Sequence, residues 1–503
     1  MASTAPYRIV VAGGGTAGWM AAAALVRFLG AGFTVSLVES DAIGTVGVGE
    51  ATIPQIRMFN ASLGIDEDAF VAATQASYKL AIEFVGWTKS GRYMHAFGEV
   101  GRDNGLLAFR HTWLRGMAEG VAEPLAAYAL NNVAALGNRM QRGPARTARV
   151  LPEMPYAFHF DAGLYARFLR DYAEARGVVR HEGRIEAVAR AGEDGNLQAL
   201  HLDGDRRIEG DLFLDCTGFH ARLIGEAMGV GYRDWSHWLP CDRALAVPSA
   251  RARDFTPYTR ATAHGAGWQW RIPLQHRTGN GIVYSSRHLS DDAAAAALLA
   301  GLDEPALADP RPLRFTAGRR EQCWAGNVIA LGLASGFLEP LESTSIHLIQ
   351  SAIERVLTLL PGARAIAPLR NRYNRQAAQE MERIRDFLTL HYWANDRDEP
   401  FWRERREAPL PDGLAEKIAL WRASGEIDRE DGDLFSDVAW LQVLAGQGIA
   451  AEGHHPLADA PPAAQIAEYL DLIAKLNARE AAQMAPHSEF VRAHGAADAE
   501  IAA

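Results

Sequence analysis

Apolar residues near the start of the chain change their spacing twice. Residues 7–12 (YRIVVA) are a β-branched run, 13–30 pass from three consecutive glycines into an Ala/Leu-rich stretch, and 33–40 (FTVSLVES) are a second β-branched run. Short apolar runs bounded by glycine predict buried strands and the Ala/Leu stretch predicts a helix, so the order is strand, tight turn, helix, strand. Residues 159–178 (HFDAGLYARFLRDYAEARGV) carry helical spacing, and RIEAVAR, LQALHLDG, RRIEG and DLFLDCTG, between 184 and 218, predict short strands separated by turns. NVIALGL (327–333) predicts another buried strand, leading into a helix over 345–360 with apolar residues at 346, 349, 353, 357 and 360. The Ala/Leu stretch at 293–302 predicts an amphipathic or buried helix, well short of the roughly 20 apolar residues of a membrane span. The chain after Pro400 is expected to be mainly helical, with a loop at 456–464 (PLADAPPAA) and a frayed Ala-rich end after His494.

Composition narrows the classes of function. Of 503 residues, 48% are hydrophobic and 22% charged, and 51 Lys+Arg against 61 Asp+Glu give a net charge of −10. That balance suits an ordinary globular protein and argues against nucleic-acid or membrane partners. Three widely spaced cysteines with no CxxC suggest neither a disulfide framework nor a zinc site, and a reducing, cytoplasmic location is expected. The apolar start lacks a basic leader, and His454-His455 has no Glu, Asp or Cys at ligand spacing, so no metal site is expected.

Gly13-x-Gly15-x-x-Gly18 falls between the first predicted strand and helix, and Glu39 closes the next strand. Glycines permit a tight turn and close approach of backbone to a pyrophosphate, a helix N-terminus favours the anion, and the carboxylate accepts from ribose hydroxyls. This is a dinucleotide site, with Thr16 and Ala17 in its first helical turn. FAD and NAD share the pattern. DLFLDCTG (211–218) supplies a second contact of the kind found in two-part FAD-binding folds, and GVGEAT (47–52), containing Gly47 and Glu50 and preceded by Ala42, supplies a loop to lie along a flavin; both favour FAD.

Trp268-Gln-Trp270-Arg-Ile272-Pro273 fits a WxWxIP pattern and is followed by RTGNGIVYS; with it come YKLAIEF around Lys79, His95-Ala-Phe97-Gly98, GLASGFLEPLESTS (332–345) and HYWANDRDEPFW (391–402). In these motifs the chain resembles the flavin-dependent halogenases of the tryptophan-halogenase family, over most of its length to about residue 403. The resemblance implies an α/β protein with a two-part FAD-binding fold, a Rossmann-like GxGxxG unit, an inserted substrate region and a helical C-terminal part, divided here as a flavin and halogenation core (1–400) and a region completing the substrate pocket (401–503).

The resemblance also implies the chemistry. FADH2 from a separate flavin reductase, O2 and chloride or bromide yield hypohalous acid, which travels through a tunnel to an aromatic substrate. Trp268, Trp270, Ile272 and Pro273 separate the two compartments. Lys79 aligns with the catalytic lysine and either hydrogen-bonds the hypohalous acid or becomes a haloamine. Glu342 aligns with the glutamate that orients the electrophile or removes the ring proton. Leu333 and Ile346 fall among the cofactor-binding residues, His95 and Phe97 match pocket residues that hold an aromatic ring, and Trp440 is a further pocket candidate. Ser343 and Thr344 are N-cap residue types, and the Thr344 and Ser345 amides form a halide site at the start of the helix that follows.

Two departures bear on specificity. Ser345 stands where the tryptophan halogenases typically carry Gly, and the paired tyrosines, glutamate and Phe-Trp pair that clamp the amino-acid end of tryptophan are absent from 403–440. A smaller electron-rich ring such as indole is therefore expected as substrate in place of free tryptophan. A flavin aromatic monooxygenase is the alternative, but such enzymes usually carry a GDAAH-like segment where GLASG stands at 332–336. The sequence leaves open a homodimer.

Overall fold

The computed structural model describes residues 5–42, 49–89, 91–144, 151, 153–190, 195–253, 255–360 and 367–495. The elements needed below are, in chain order, β1 (Tyr7–Ala12), α1 (Thr16–Phe28), β2 (Phe33–Glu39), β3 (Ser77–Lys79), β4 (Ala81–Val85), β5 (Arg92–Ala96), β6 (Ala157–Asp161), α2 (Ala162–Glu174), β7 (Val179–Glu182) and β8 (Leu212–Asp215). They continue with β9 (Arg243–Ala250), β10 (Tyr258–His264), β11 (Gly267–Pro273), β12 (Arg277–Tyr284), β13 (Arg311–Arg314), β14 (Trp324–Ala325), β15 (Val328–Ala330), α3 (Ser345–Thr358), α4 (Ala367–Trp393), α5 (Asp437–Gly446) and α6 (His487–Gly495).

The chain folds as two units, each assembled from three segments: 1–76, 160–236 and 315–381 in the first, and 77–159, 237–314 and 382–503 in the second. The expected division at residue 400 falls inside the second unit. The first unit is built on a six-stranded sheet in the order β14-β15-β8-β1-β2-β7. β1 lies centrally, parallel to β2 and β8, with Ala12 opposite Val38 and Asp215. Parallel strands covered by helices are apolar throughout, and Ile9 to Ala12 are buried accordingly. Helix α1 buries Gly18 to Leu25, and α2 and α3 pack beside it.

The second unit is built on a seven-stranded sheet in the order β13-β9-β12-β11-β10-β4-β5, antiparallel except where β4 meets β10. Strand β11 (GWQWRIP) is buried at every residue, because it lies between β10 and β12 and both its faces are covered. The short strand β3 pairs antiparallel with β6, Ser77 opposite His159 and Lys79 opposite Ala157.

Three expectations need correction. The helix expected over 159–178 begins only at Ala162; Asp161 caps it, accepting from the Gly163 and Leu164 amides at 3.0 and 3.1 Å, and the residues before it complete strand β6. The segment 456–464 is no simple loop, since Pro456–Asp459 form a 3-10 turn and a helix starts at Ala463. Gly49–Ala51, expected in a loop, form a short strand, whereas Gly47 lies outside the described residues. The Ala-rich end expected to fray also lies outside them beyond residue 495. Among the described residues no helix is long and apolar enough to cross a membrane, and no group of three His, Cys, Asp or Glu could hold a metal ion.

Candidate functional site

The first unit carries the dinucleotide residues. Gly13 has φ +109°, and a Cβ there would lie 2.3 Å from the Cys216 carbonyl oxygen at the end of β8. A Cβ on Gly18 would lie 1.8 Å from the Gly13 carbonyl oxygen, so helix α1 meets its turn closer than any side chain permits. Gly15 is the N-cap of α1, has no side-chain cap, and has open space beside its Cα. The first amides of α1, at Thr16 and Ala17, therefore start a helix with room for an anion, as a pyrophosphate requires. Thr16 turns its hydroxyl 3.5 Å from the Ala162 carbonyl oxygen.

Glu39 stands at the end of β2, where its Oε1 accepts from Arg180 Nε at 2.5 Å and its Oε2 from Trp19 Nε1 at 3.2 Å. These bonds fix the carboxylate and leave lone pairs for a ribose. The sequence reading overlooked Gly14: a Cβ there would fall 1.6 Å from Glu39 Oε2, so the second of the three glycines makes room for the acid. Asp215 is buried and accepts from four donors, the Thr217 amide and hydroxyl and the Leu223 and Ile224 amides; it secures the end of β8. The residues present thus fit FAD at this turn.

Gly332, at φ +59°, brings the turn holding Leu333 against α1, since a Cβ there would lie 2.9 Å from that of Ala17. Ile346 is buried in the first turn of α3, and Ala42 is exposed. Glu50 lies on the strand Gly49–Ala51, where enclosure by protein raises its carboxyl to about 7. Glu342 is buried in a short turn (Pro340–Glu342), and Ser343 takes the left-handed conformation at φ +60°, which costs a non-glycine residue roughly 1 kcal/mol or more. Thr344 is the N-cap of α3, but its hydroxyl does not cap the helix as expected. The Thr344 hydroxyl is 1% exposed and has no hydrogen-bond partner among the described residues. An orphaned donor beside the uncapped helix start, next to Ser345, is suited to an anion.

The second unit carries the residues expected around the aromatic substrate. Lys79 is wholly buried, and its ammonium lies 5.2 Å from the centroid of the Phe97 ring. His95, on β5, and Trp440, on α5, pack against the same ring, that of Phe387, with centroids 5.9 and 4.9 Å away. Phe435 stacks on Phe387 at 3.8 Å. Neither Phe387 nor Phe435 was singled out from sequence; each stands in an ordinary helical or loop context that signals only core. Gln442 was also missed. Its amide joins α5 to the backbone of Ala96, between His95 and Phe97.

Trp268 and Trp270 project from one face of β11, as residues two apart must, with ring centroids 6.1 Å apart. Trp270 lies over Gly281 of β12, whose missing side chain makes the space: a Cβ there would meet the indole at 2.1 Å. Ile272 and Pro273 are buried at the end of the strand. A cavity of about 510 Å3 lies in the same unit, lined among others by Glu99, Phe109, Arg110, Asn131, Asp437 and Leu441. His454 pairs with Asp459 at 2.8 Å, and the His455 ring accepts from the Leu457 amide at 3.1 Å.

A glycine turn with room for a dinucleotide in one unit, and a buried lysine with a paired-tryptophan strand in the other, are the features expected of a flavin-dependent halogenase. The chain belongs to the tryptophan halogenase family, whose model matches residues 8–463. It is 35% identical over 492 residues to the tryptophan 6-halogenase SttH of Streptomyces toxytricini, covering 92% of this chain and 94% of that protein. It is 34% identical over 498 residues to the tryptophan 7-halogenase RebH of Lentzea aerocolonigenes, covering 91% and 93%. Among solved structures it is similar to Xcc4156, a flavin-dependent halogenase from Xanthomonas campestris, with a TM-score of 0.95, 49% identity and coverage of 99% and 100%. The corresponding values for BrvH, a flavin-dependent halogenase from Brevundimonas sp. BAL3, are 0.93, 46%, 97% and 99%.

Proposed function

We propose that the protein uses FADH2, delivered by a separate flavin reductase, with O2 and chloride or bromide to make hypohalous acid, and that Lys79 passes the halogen to an electron-rich aromatic such as indole. Reduced flavin, when bound, would supply two electrons to O2, and O2 is the oxidant that takes two more from halide, giving hypohalous acid and water. The remaining steps belong to the chain's own residues.

Gly13, Gly15 and Gly18 hold the turn open to the dinucleotide, and Glu39 meets its ribose. Halide, as a substrate, is held by the uncapped start of α3 at Thr344 and Ser345, where the buried Thr344 hydroxyl supplies a further donor. Trp268 and Trp270 fill one face of a wholly buried strand and keep an organic substrate from the flavin compartment while hypohalous acid passes.

The observation that carries the reading is the burial of the Lys79 ammonium against the Phe97 ring. Removing an ammonium from water is costly and is retained where it has work to do. There it polarises the halogen, by hydrogen bond or as a haloamine, toward a ring held by His95, Phe97 and Trp440. A ring carbon–halogen bond forms as the halogen's other bond breaks: in the first case hydroxide leaves and is protonated to water, in the second, where water was lost as the haloamine formed, the lysine amine leaves; Glu342 accepts the proton that the ring carbon loses.

Free tryptophan is the poorer substrate. Asp437, the acid nearest in sequence to Trp440, lies 3.4 Å from Arg110, and Asp433, the next, pairs with Arg383 at 3.1 Å. Neither is left to hold the ammonium of an amino acid. Mass spectrometry of products from indole and from tryptophan, with FAD, a flavin reductase, NADH and either halide, tests the reading. A halogen isotope pattern on indole alone is expected. A pattern on tryptophan at equal rate overturns the substrate assignment, and oxygen gain without halogen would identify a monooxygenase.

A further inference from the structure

Strand β3 is three residues long, and Ser77 stands two positions before Lys79, so their side chains share one face. Ser77 Oγ lies 2.6 Å from the carbonyl oxygen of Pro273, the last residue of the WxWxIP strand, and 3.1 Å from His159 Nδ1. His159 Nε2 lies 2.9 Å from Thr259 Oγ1 on β10. All four residues are buried.

Proton counting, with the buried His159 imidazole neutral, fixes the direction of each bond. A carbonyl only accepts, so the single hydroxyl proton of Ser77 goes to Pro273. Ser77 must then accept from His159 Nδ1–H, which leaves His159 Nε2 to accept from the Thr259 hydroxyl. This pattern requires a neutral imidazole. Burial, and next the positive charge of Lys79, push His159 well below the ordinary histidine range.

The strand is gripped from another side as well. The Tyr78 amide donates to His487 Nε2 at 3.2 Å, and His487 Nδ1–H donates to the Phe255 carbonyl at 2.8 Å. Three residues of strand are therefore tied to β11 through Ser77, to β10 through His159 and to helix α6 through His487.

We propose that Ser77 and His159 are positioning residues for halogen transfer, holding Lys79 in register with the strand that carries Trp268 and Trp270. The inference rests on the reading of Lys79 given above. Without the Ser77 hydroxyl, the Pro273 carbonyl and His159 Nδ1–H lose this partner, and with it goes the bond from the lysine-bearing strand to the last residue of β11. Misplacing a reacting group by about 1 Å costs on the order of 100-fold in rate.

The test compares the full-length wild type with S77A and S77T, each loaded with FAD, in bromination of indole with reductase and NADH. The readout is brominated product formed per FADH2 oxidised. For S77A a fall of about tenfold or more is expected, with FAD affinity and the KM for indole within about twofold of wild type, and S77T, which restores the hydroxyl, recovers most of the ratio. H159N, which keeps a donor toward Ser77 but loses the acceptor for Thr259, is expected to fall between; if it does not fold, the Ser77 pair decides alone. An S77A enzyme that melts earlier but keeps the wild-type ratio overturns the positioning role and leaves the halogenase reading intact. A wild type that yields no brominated product removes the reading of Lys79 and this inference with it.

Discussion

Gln442 holds both ends of one residue's backbone: its side-chain carbonyl accepts the Ala96 amide proton at 3.0 Å, and its NH2 donates to the Ala96 carbonyl at 2.9 Å. Asn132 adds a third bond, donating to the same Gln442 oxygen at 3.2 Å. Ala96 lies between His95 and Phe97, so this contact sets helix α5, with Trp440, against the two other residues proposed to line the substrate pocket. Gln442→Leu keeps the volume and removes the polar partners. Each buried group left unpaired costs roughly 1–3 kcal/mol. With three such groups, a loss of about 3 kcal/mol or more of stability is expected, with the KM for indole raised about tenfold and kcat changed less than threefold. Chemical denaturation and steady-state kinetics of the variant check both; a kcat defect at unchanged KM would show that α5 does not set the pocket.

Gly14 yields a sharper steric prediction. A methyl group at this position would lie within bonding distance of the Glu39 carboxylate, which is itself fixed by Arg180 and Trp19. Gly14→Ala must displace either the turn or the acid, the two features proposed to hold the dinucleotide. FAD affinity is expected to fall at least tenfold in a folded protein, measured by quenching of flavin fluorescence with far-UV circular dichroism as the control. Wild-type affinity would mean that Glu39 moves without consequence for the cofactor.

What the sequence revealed and what it concealed follow from the range of the interactions. The dinucleotide unit was legible because its parts are local: Val10 to Glu39 form strand, turn, helix and acid in one stretch, and each glycine does its work within that stretch or against one neighbouring strand. Lys79, Glu342 and the Trp268–Pro273 motif were visible through family resemblance. Gln442, Phe387 and Gly281 were not, because their importance arises only when distant segments meet. Gly281 looks like any strand glycine until the Trp270 indole is laid over it. The expected helix start at His159 failed for a related reason: the helical spacing runs on into a strand, and only the Asp161 cap and the pairing with β3 mark the boundary.

Lys79 and Glu342 are expected to separate flavin chemistry from halogen transfer. Lys79→Met retains a long apolar stem in the buried site while deleting the ammonium beside Phe97. Oxidation of FADH2 in the presence of halide is expected to proceed within about twofold of wild type, while halogenated indole falls at least 100-fold. Glu342→Gln keeps the size of a buried residue and removes a proton acceptor, so substitution is expected to slow by about 10- to 100-fold, general-base contributions being typically 10²–10⁴-fold. Product mass spectrometry run beside flavin absorbance measures both. Undiminished product from Lys79→Met would remove the lysine from the mechanism.

His487 gives the protein a specific acid sensitivity. It is wholly buried, donates from Nδ1 to Phe255 and accepts at Nε2 from the Tyr78 amide, next to Lys79. Burial lowers its pKa from the usual 6.5 to about 4. Between those values the unfolded chain binds a proton that the folded chain refuses, so the stability due to this residue is complete above pH 6.5, falls as the pH drops toward 4, and is lost no further below it. The difference corresponds to about 3 kcal/mol at most. Carboxylates titrate in the lower part of the same window, so the informative quantity is the gap in melting temperature between wild type and His487→Gln, which has no such proton to take up. That gap is expected to be widest at pH 7 and to shrink steadily toward pH 4. A gap that stays constant from pH 7 to 4 would mean that protonating His487 does not oppose folding, and that the strand carrying Lys79 does not depend on its neutral ring.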